Sequence, residues 1–123
     1  MTTLWVGLGG AVGSIARYHV GRFAQARASS FPWGTLAVNV LGCFVISVLA
    51  QLALRGRIDE TMRVGIGIGL VGGFTTYSTF NQETITFIEG GQWGRAGLYL
   101  AVTLVGGLVL GAAGWLVGRA VTG

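Results

Sequence analysis

Polar and apolar positions in this chain come in blocks rather than in short alternations. A membrane-spanning helix needs roughly 20 predominantly apolar residues, and the chain offers four such runs. The first covers residues 4–23, with Arg17, Tyr18, His19 and Arg22 gathered toward its end. The second, residues 34–54, and the fourth, residues 96–118, carry no charge at all. The third covers residues 64–88. Pro32 stands just before the second run, where a missing N–H costs nothing. Short hydrophilic turns, RGRIDE at 55–60 and EGGQW at 89–93, separate the later runs. The pattern predicts an all-α membrane protein with four transmembrane helices in a single domain over residues 1–123, leaving no length for a soluble domain.

The third run departs from a plain apolar helix. Its centre, LVGGFTTYSTF at 70–80, holds two glycines, three threonines, a serine and three aromatics. Gly72 and Gly73 are adjacent, and each weakens a helix by roughly 1 kcal/mol relative to Ala. Thr75 and Thr76 compete for backbone hydrogen bonds. Together they predict an interruption. Backbone groups freed inside a bilayer cost several kcal/mol each, so they must be buried in protein, line water or hold an ion. One reading is a cation held by freed carbonyls, as in discontinuous transporter helices. The other is a kink whose hydroxyls bond back to the preceding turn.

Composition sharpens the membrane reading. The chain is 52% hydrophobic and only 10% charged, against roughly 25% charged in ordinary soluble domains. Glycine makes up 23 of the 123 residues. Gly9 and Gly13, then Gly65, Gly69 and Gly73, then Gly107 and Gly111, and Gly114 and Gly118 recur at every fourth position. Such faces let helix backbones approach closely in lipid. Four short helices barely enclose a cavity of their own, so a homo-oligomer is expected. Gly67-Ile-Gly-Leu-Val-Gly72 also fits G-x-G-x-x-G, but a dinucleotide site needs a preceding strand, and an uncharged membrane run supplies none.

The basic excess is all arginine. The arginines stand at the ends of apolar runs rather than in a stripe, which excludes nucleic acid as the expected partner and points to topology. With four spans, one side of the membrane receives Arg55, Arg57, Arg63 and Arg119, and the other Arg17, Arg22, Arg27 and Arg95. The balance is even. It reflects either small-number chance or a chain that inserts both ways and pairs antiparallel with itself. The N-terminus has no basic leader region, so no cleaved signal is expected. The single cysteine, Cys43, excludes an intrachain disulfide and reads as a small packing residue.

Candidate chemistry is sparse. Phe74, Tyr77 and Phe80 recur at three-residue spacing, either as packing or as ring edges whose partial positive charge can solvate a small anion. Ser78 and Thr79 add hydroxyls beside them. Asn39 and Gln51 are amides within the second run, serving as helix–helix glue or facing a water path. Tyr99 and Thr103, four residues apart, form a short polar ladder on the fourth. Glu83 and Glu89 are late in the third segment, near an interface, and His19 is expected to pack or snorkel.

At these residues the sequence resembles the Fluc (CrcB) fluoride channel family. GGAVGSIARY at 9–18 is similar to GGxxGAxxRY, GTLAVNVLGCF at 34–44 to GTLxVNxxGxF, and GLVGGFTTYSTF at 69–80 to GxxGGxTTFSTF. The resemblance covers nearly the whole chain. It implies an antiparallel, dual-topology homodimer in the bilayer of a bacterial inner membrane that exports fluoride passively. It implies a structural Na+ held by the carbonyls of Gly72 and Thr75 from both copies. It further implies two pores lined by Asn39, Tyr77, Ser78, Thr79 and Phe80, with Tyr99 and Thr103 as a polar track and Arg17 at a vestibule. Tyr77 stands where Phe is common, and Gly107 where a further hydroxyl is often found. The rival readings are a small multidrug-type antiporter, which needs a membrane-embedded carboxylate, and a non-transporting assembly subunit.

Overall fold

The computed structural model describes residues 1–27 and 30–123. Helix α1 spans Thr2–Ala26 and α2 spans Trp33–Leu54. The third segment is composite. It begins as α3, Glu60–Val64, widens into a π-helical stretch, Gly65–Val71, and ends in a single turn, α4, Gly72–Phe74. After an interruption, α5 spans Tyr77–Glu89, and α6 spans Trp93–Thr122. The observed helices extend a few residues beyond the apolar runs at most ends, because polar residues continue the hydrogen-bond ladder into the interface.

Local chemistry sets several boundaries. Asp59 caps α3, its carboxylate accepting from the Met62 amide at 2.7 Å. Glu60 and Arg63, one turn apart, form an ion pair at 2.6 Å. The hydrogen bond from Arg63 holds the Glu60 carboxyl below its ordinary range. Gly56 and Gly91 adopt φ of 65° and 71°, a left-handed backbone that only glycine accepts without strain, and they turn the chain between helices.

Two seams organise the bundle. α1 lies along the π-helical stretch and α4, while α6 lies along α2, and α2 touches both parts. In the first seam, backbone meets backbone. A Cβ on Gly69 would stand 2.8 Å from the Val6 carbonyl oxygen, and one on Gly73 would stand 3.0 Å from Gly10 Cα. A Cβ on Gly13 would collide with the Leu70 carbonyl. In the second seam, α6 glycines receive the surface of α2. A Cβ on Gly114 would strike the Phe44 backbone, and one on Gly118 would lie 2.6 Å from Gln51 Cβ. The every-fourth-residue glycines are therefore the contact faces, and the G-x-G-x-x-G run lies within the π-helical stretch and the turn after it.

The buried set is small: Val38, Leu49, Val71, Phe80, Ala96 and Tyr99 form the apolar interior. Large apolar side chains cover the outside instead, among them Leu4, Leu8, Val12 and Ile15 on α1 and Leu104, Leu108 and Leu116 on α6. α2 and α6 are each long and apolar enough to cross a bilayer. An apolar exterior over a glycine-packed interior is the arrangement of a membrane protein.

Candidate functional site

The interruption falls at Thr75 and Thr76, whose backbones are extended at φ −86°, ψ 157° and φ −152°, ψ 118°. The groups it frees find partners in a defined way. The Thr75 amide and hydroxyl both donate to the Val71 carbonyl, at 3.0 and 3.1 Å, and close the first half-helix. Asn39 of α2 clamps the next residue. Its Oδ1 accepts from the Thr76 amide at 2.8 Å, and its Nδ2 donates to the Thr76 carbonyl at 3.0 Å. Thr76 Oγ1 then accepts from the Thr79 amide at 3.3 Å and caps α5. That hydroxyl also donates to Thr79 Oγ1 at 3.1 Å and lies 3.4 Å from Ser78 Oγ.

Arg17 of α1 completes the support. Its Nε donates to the Gly73 carbonyl at 3.1 Å, and Ser14 Oγ approaches the same oxygen at 3.5 Å. By contrast, the carbonyl oxygens of Gly72 and Thr75 receive no side-chain donor among the described residues. A buried or bilayer-embedded carbonyl without a donor is costly, so these oxygens fit a cation.

A groove of about 550 Å³ opens beside the break, and it brings together Asn39, Gly72, Thr75, Tyr77, Phe80 and Thr103. Cys43 and Gly107 line it as well. Phe80 is 6% exposed, whereas Tyr77 is 78% exposed and stands at the edge. The Tyr77 and Phe80 rings meet edge-on with centroids 5.9 Å apart. The Thr103 hydroxyl oxygen is buried and has no hydrogen-bond partner among the described residues. Asn39 spends one of its two amide protons on Thr76, which leaves the second available.

The remaining predicted residues lie elsewhere. Arg17 and Thr79 face a separate cleft of about 280 Å³, shared with Thr35 and Glu83, so Arg17 both braces the break and lines this entrance-like space. Ser78 is on the first turn of α5 beside Thr76. Tyr99 is fully buried, its hydroxyl donating to Glu83 Oε2 at 2.6 Å, while Thr35 donates to Glu83 Oε1 at 2.8 Å. Phe80 and Phe31 pack edge-on against the Tyr99 ring, at 5.0 and 5.5 Å. Tyr99 thus joins three helices through a carboxylate, one layer away from Thr103.

Reading the sequence by runs passed over Thr35, read Cys43 as a packing residue and took Glu83 for an acid near the interface. The signal was present: α2 carries a polar side chain or thiol at every fourth position, at Thr35, Asn39, Cys43, Ser47 and Gln51. Residues four apart share a helix face.

Comparison with known proteins identifies the family. The chain matches the model of the CrcB-like protein family, Camphor Resistance (CrcB), over residues 4–115. It is 44% identical over 117 residues to a protein of Sorangium cellulosum named fluoride-specific ion channel FluC, covering 94% of this chain and 92% of that one. It is 41% identical over 121 residues to a protein of the same name from Thermus thermophilus, covering 98% and 95%. A Rhizobium etli protein of that name is 46% identical over 101 residues, covering 80% and 81%. The named relatives are ion channels and not enzymes. Matched by the family model over residues 4–115 and nearly end to end by these relatives, the chain belongs to the CrcB-like family.

Proposed function

We propose that this chain is a fluoride-selective channel that lets fluoride leave the cell passively across the bacterial inner membrane. The observation that carries the reading is the groove at the break, in which ring edges and unspent donors converge. Fluoride is small and strongly hydrated, so a path must replace its water. The second N–H of Asn39 and the Thr103 hydroxyl are hydrogen-bond donors without partners among the described residues. The positive edge of the Phe80 ring supplies a weaker contact that does not trap the anion as a buried arginine does. Selectivity follows from contacts too close and too weak for a larger anion that keeps its own hydration.

The chain leaves that groove open on one side. An antiparallel copy closes it, and the even arginine balance supports insertion in both directions. Two copies related by a two-fold axis carry two grooves and hence two pores. They also bring two identical breaks together, and the carbonyls of Gly72 and Thr75, which no side chain among the described residues caps, are the groups that would hold a structural Na+ there. Such an ion supplies the positive charge those acceptors lack and joins the copies. Ser78 and Thr79 extend the path from the groove toward the cleft that Arg17 lines, where its charge attracts anions. Tyr99 sets the wall of the path through Glu83 and the Phe80 ring.

The test is efflux from liposomes loaded with fluoride or with chloride. Rapid fluoride release with retained chloride is expected, and equal release of both overturns the reading. Adding three lysines to the 55–60 turn should orient every chain one way and abolish flux of that chain alone; full flux from uniformly oriented chains excludes dual topology. The antiporter reading is not favoured. The first apolar run holds no acid, and Glu83 already accepts two hydroxyl donors.

A further inference from the structure

The ladder on α2 gives the groove a donor that α6 does not provide. Cys43 follows Asn39 by one turn of α2, and both line the groove together with Thr103 and Gly107. A Cβ built on Gly107 would stand 3.3 Å from Cys43 Sγ, so the sulfur points at the place where residue 107 has no side chain. One turn further on, a Cβ on Gly111 would lie 3.5 Å from Ser47 Oγ in the same manner. At both levels α6 is bare and α2 presents the polar atom. Cys43 is unoxidised, and its thiol has no hydrogen-bond partner among the described residues. The Thr103 hydroxyl beside it is likewise unpartnered though buried. A hydroxyl and a thiol without partners among the described residues, on facing helices of one groove, are the kind of donors an anion path requires, and leaving the buried hydroxyl unpaired is costly without a ligand.

We infer that Cys43 is a specificity-determining residue of the anion path, its thiol taking over from α2 the position that Gly107 leaves empty on α6. The inference rests on the channel reading above and deepens it. The S–H is a weak donor, so it contacts the anion without holding it. Its nucleophilic sulfur also makes the path titratable by thiol chemistry at one point, because the chain has a single cysteine. With methyl methanethiosulfonate the Cys43 sulfur attacks the sulfenyl sulfur of the reagent. A new S–S bond forms, the bond to the sulfonyl sulfur breaks, methanesulfinate leaves with the electron pair, and the thiol proton passes to buffer. The product carries an S-methyl group in the groove in place of a donor.

The experiment is fluoride efflux from liposomes containing the full chain, before and after treatment with methyl methanethiosulfonate, with mass spectrometry of the same sample to measure labelling. Stoichiometric labelling with a several-fold loss of fluoride flux is expected, reversed by a reducing thiol. Cys43→Ser, which cannot react, is expected to conduct equally with and without the reagent. Cys43→Ala, which removes the donor, is expected to conduct several-fold more slowly than Cys43→Ser. Full labelling with undiminished flux overturns the inference, as does a thiol that stays unlabelled in conducting protein, or inhibition that persists in Cys43→Ser. A wild-type chain that passes no fluoride overturns the channel reading instead, so the two failures are distinguishable.

Discussion

The two glycine seams of this molecule use the same residue to opposite ends. Where α1 meets the π-helical stretch, glycines stand on both sides, and Gly9, Gly13, Gly69 and Gly73 bring main chain against main chain. At these glycines the seam is main chain on main chain, and Arg17 and Ser14 reach across it to the Gly73 carbonyl. Where α6 meets α2, the glycines stand on α6, and the facing positions of α2 carry Cys43, Ser47 and Gln51. The second seam keeps backbone contact at Gly114, meets polar side chains of α2 at Gly107, Gly111 and Gly118, and beside the break opens into the groove. The difference teaches that close glycine packing serves rigidity in one seam and access in the other. The first holds the half-helix whose end is interrupted; the second supplies the groups that face the interruption.

The comparison is broken most severely in the closed seam. Gly69→Val places a branched side chain where a Cβ already stands 2.8 Å from the Val6 carbonyl and 3.1 Å from Val6 Cα. Backbone cannot rotate away, so a loss of about 3 kcal/mol or more is expected, read as aggregation or a lowered unfolding temperature in detergent. A variant of wild-type stability shows that the helices can slide apart freely, and the closed seam is then not rigid.

Next in size is Asn39→Asp. It keeps the acceptor for the Thr76 amide and loses the donor to the Thr76 carbonyl. It also faces a carboxylate toward the anion path. Each lost buried hydrogen bond costs about 1–3 kcal/mol, and fluoride flux is expected to fall at least tenfold, roughly the effect of 1.4 kcal/mol on a barrier. Wild-type flux removes Asn39 from the path and leaves it a clamp alone. Phe80→Ile keeps a buried apolar side chain and deletes the ring edge. Flux is expected to drop several-fold while stability changes by about 1 kcal/mol, and undiminished flux counts against ring-edge solvation. The smallest effect is expected from Gly107→Ala, whose Cβ would meet Cys43 Sγ at 3.3 Å. The sulfur turns aside at a cost below about 1 kcal/mol, with flux reduced modestly. A much larger loss shows that α6 at that level is packed as tightly as the first seam.

The fold class was legible because a bilayer leaves few choices. Apolar runs of this length must become helices, and their glycines must be their contact faces, so Gly13 and Gly73 or Gly114 and Gly118 declared themselves by spacing alone. The site was legible where one residue type is costly in a membrane helix: Asn39 and the Thr75–Thr76 pair drew attention for that reason. Partnership was not legible. Thr35, Glu83 and Tyr99 lie on three different helices, and no local pattern showed that the bundle joins them. Nor was it legible that the Nε of Arg17 donates to the Gly73 carbonyl on another helix.

By itself the sequence determined where the helices run, where the third weakens and which faces carry glycine. These are local consequences of hydrophobicity, backbone entropy and small side chains. Tertiary structure alone decided which carbonyls at the interruption receive a side-chain donor and which do not. It also decided that the thiol of α2 fills the space above a glycine of α6. Hydrogen-bond pairing and close packing join residues far apart in the chain, and no local pattern fixes which distant group arrives to satisfy them.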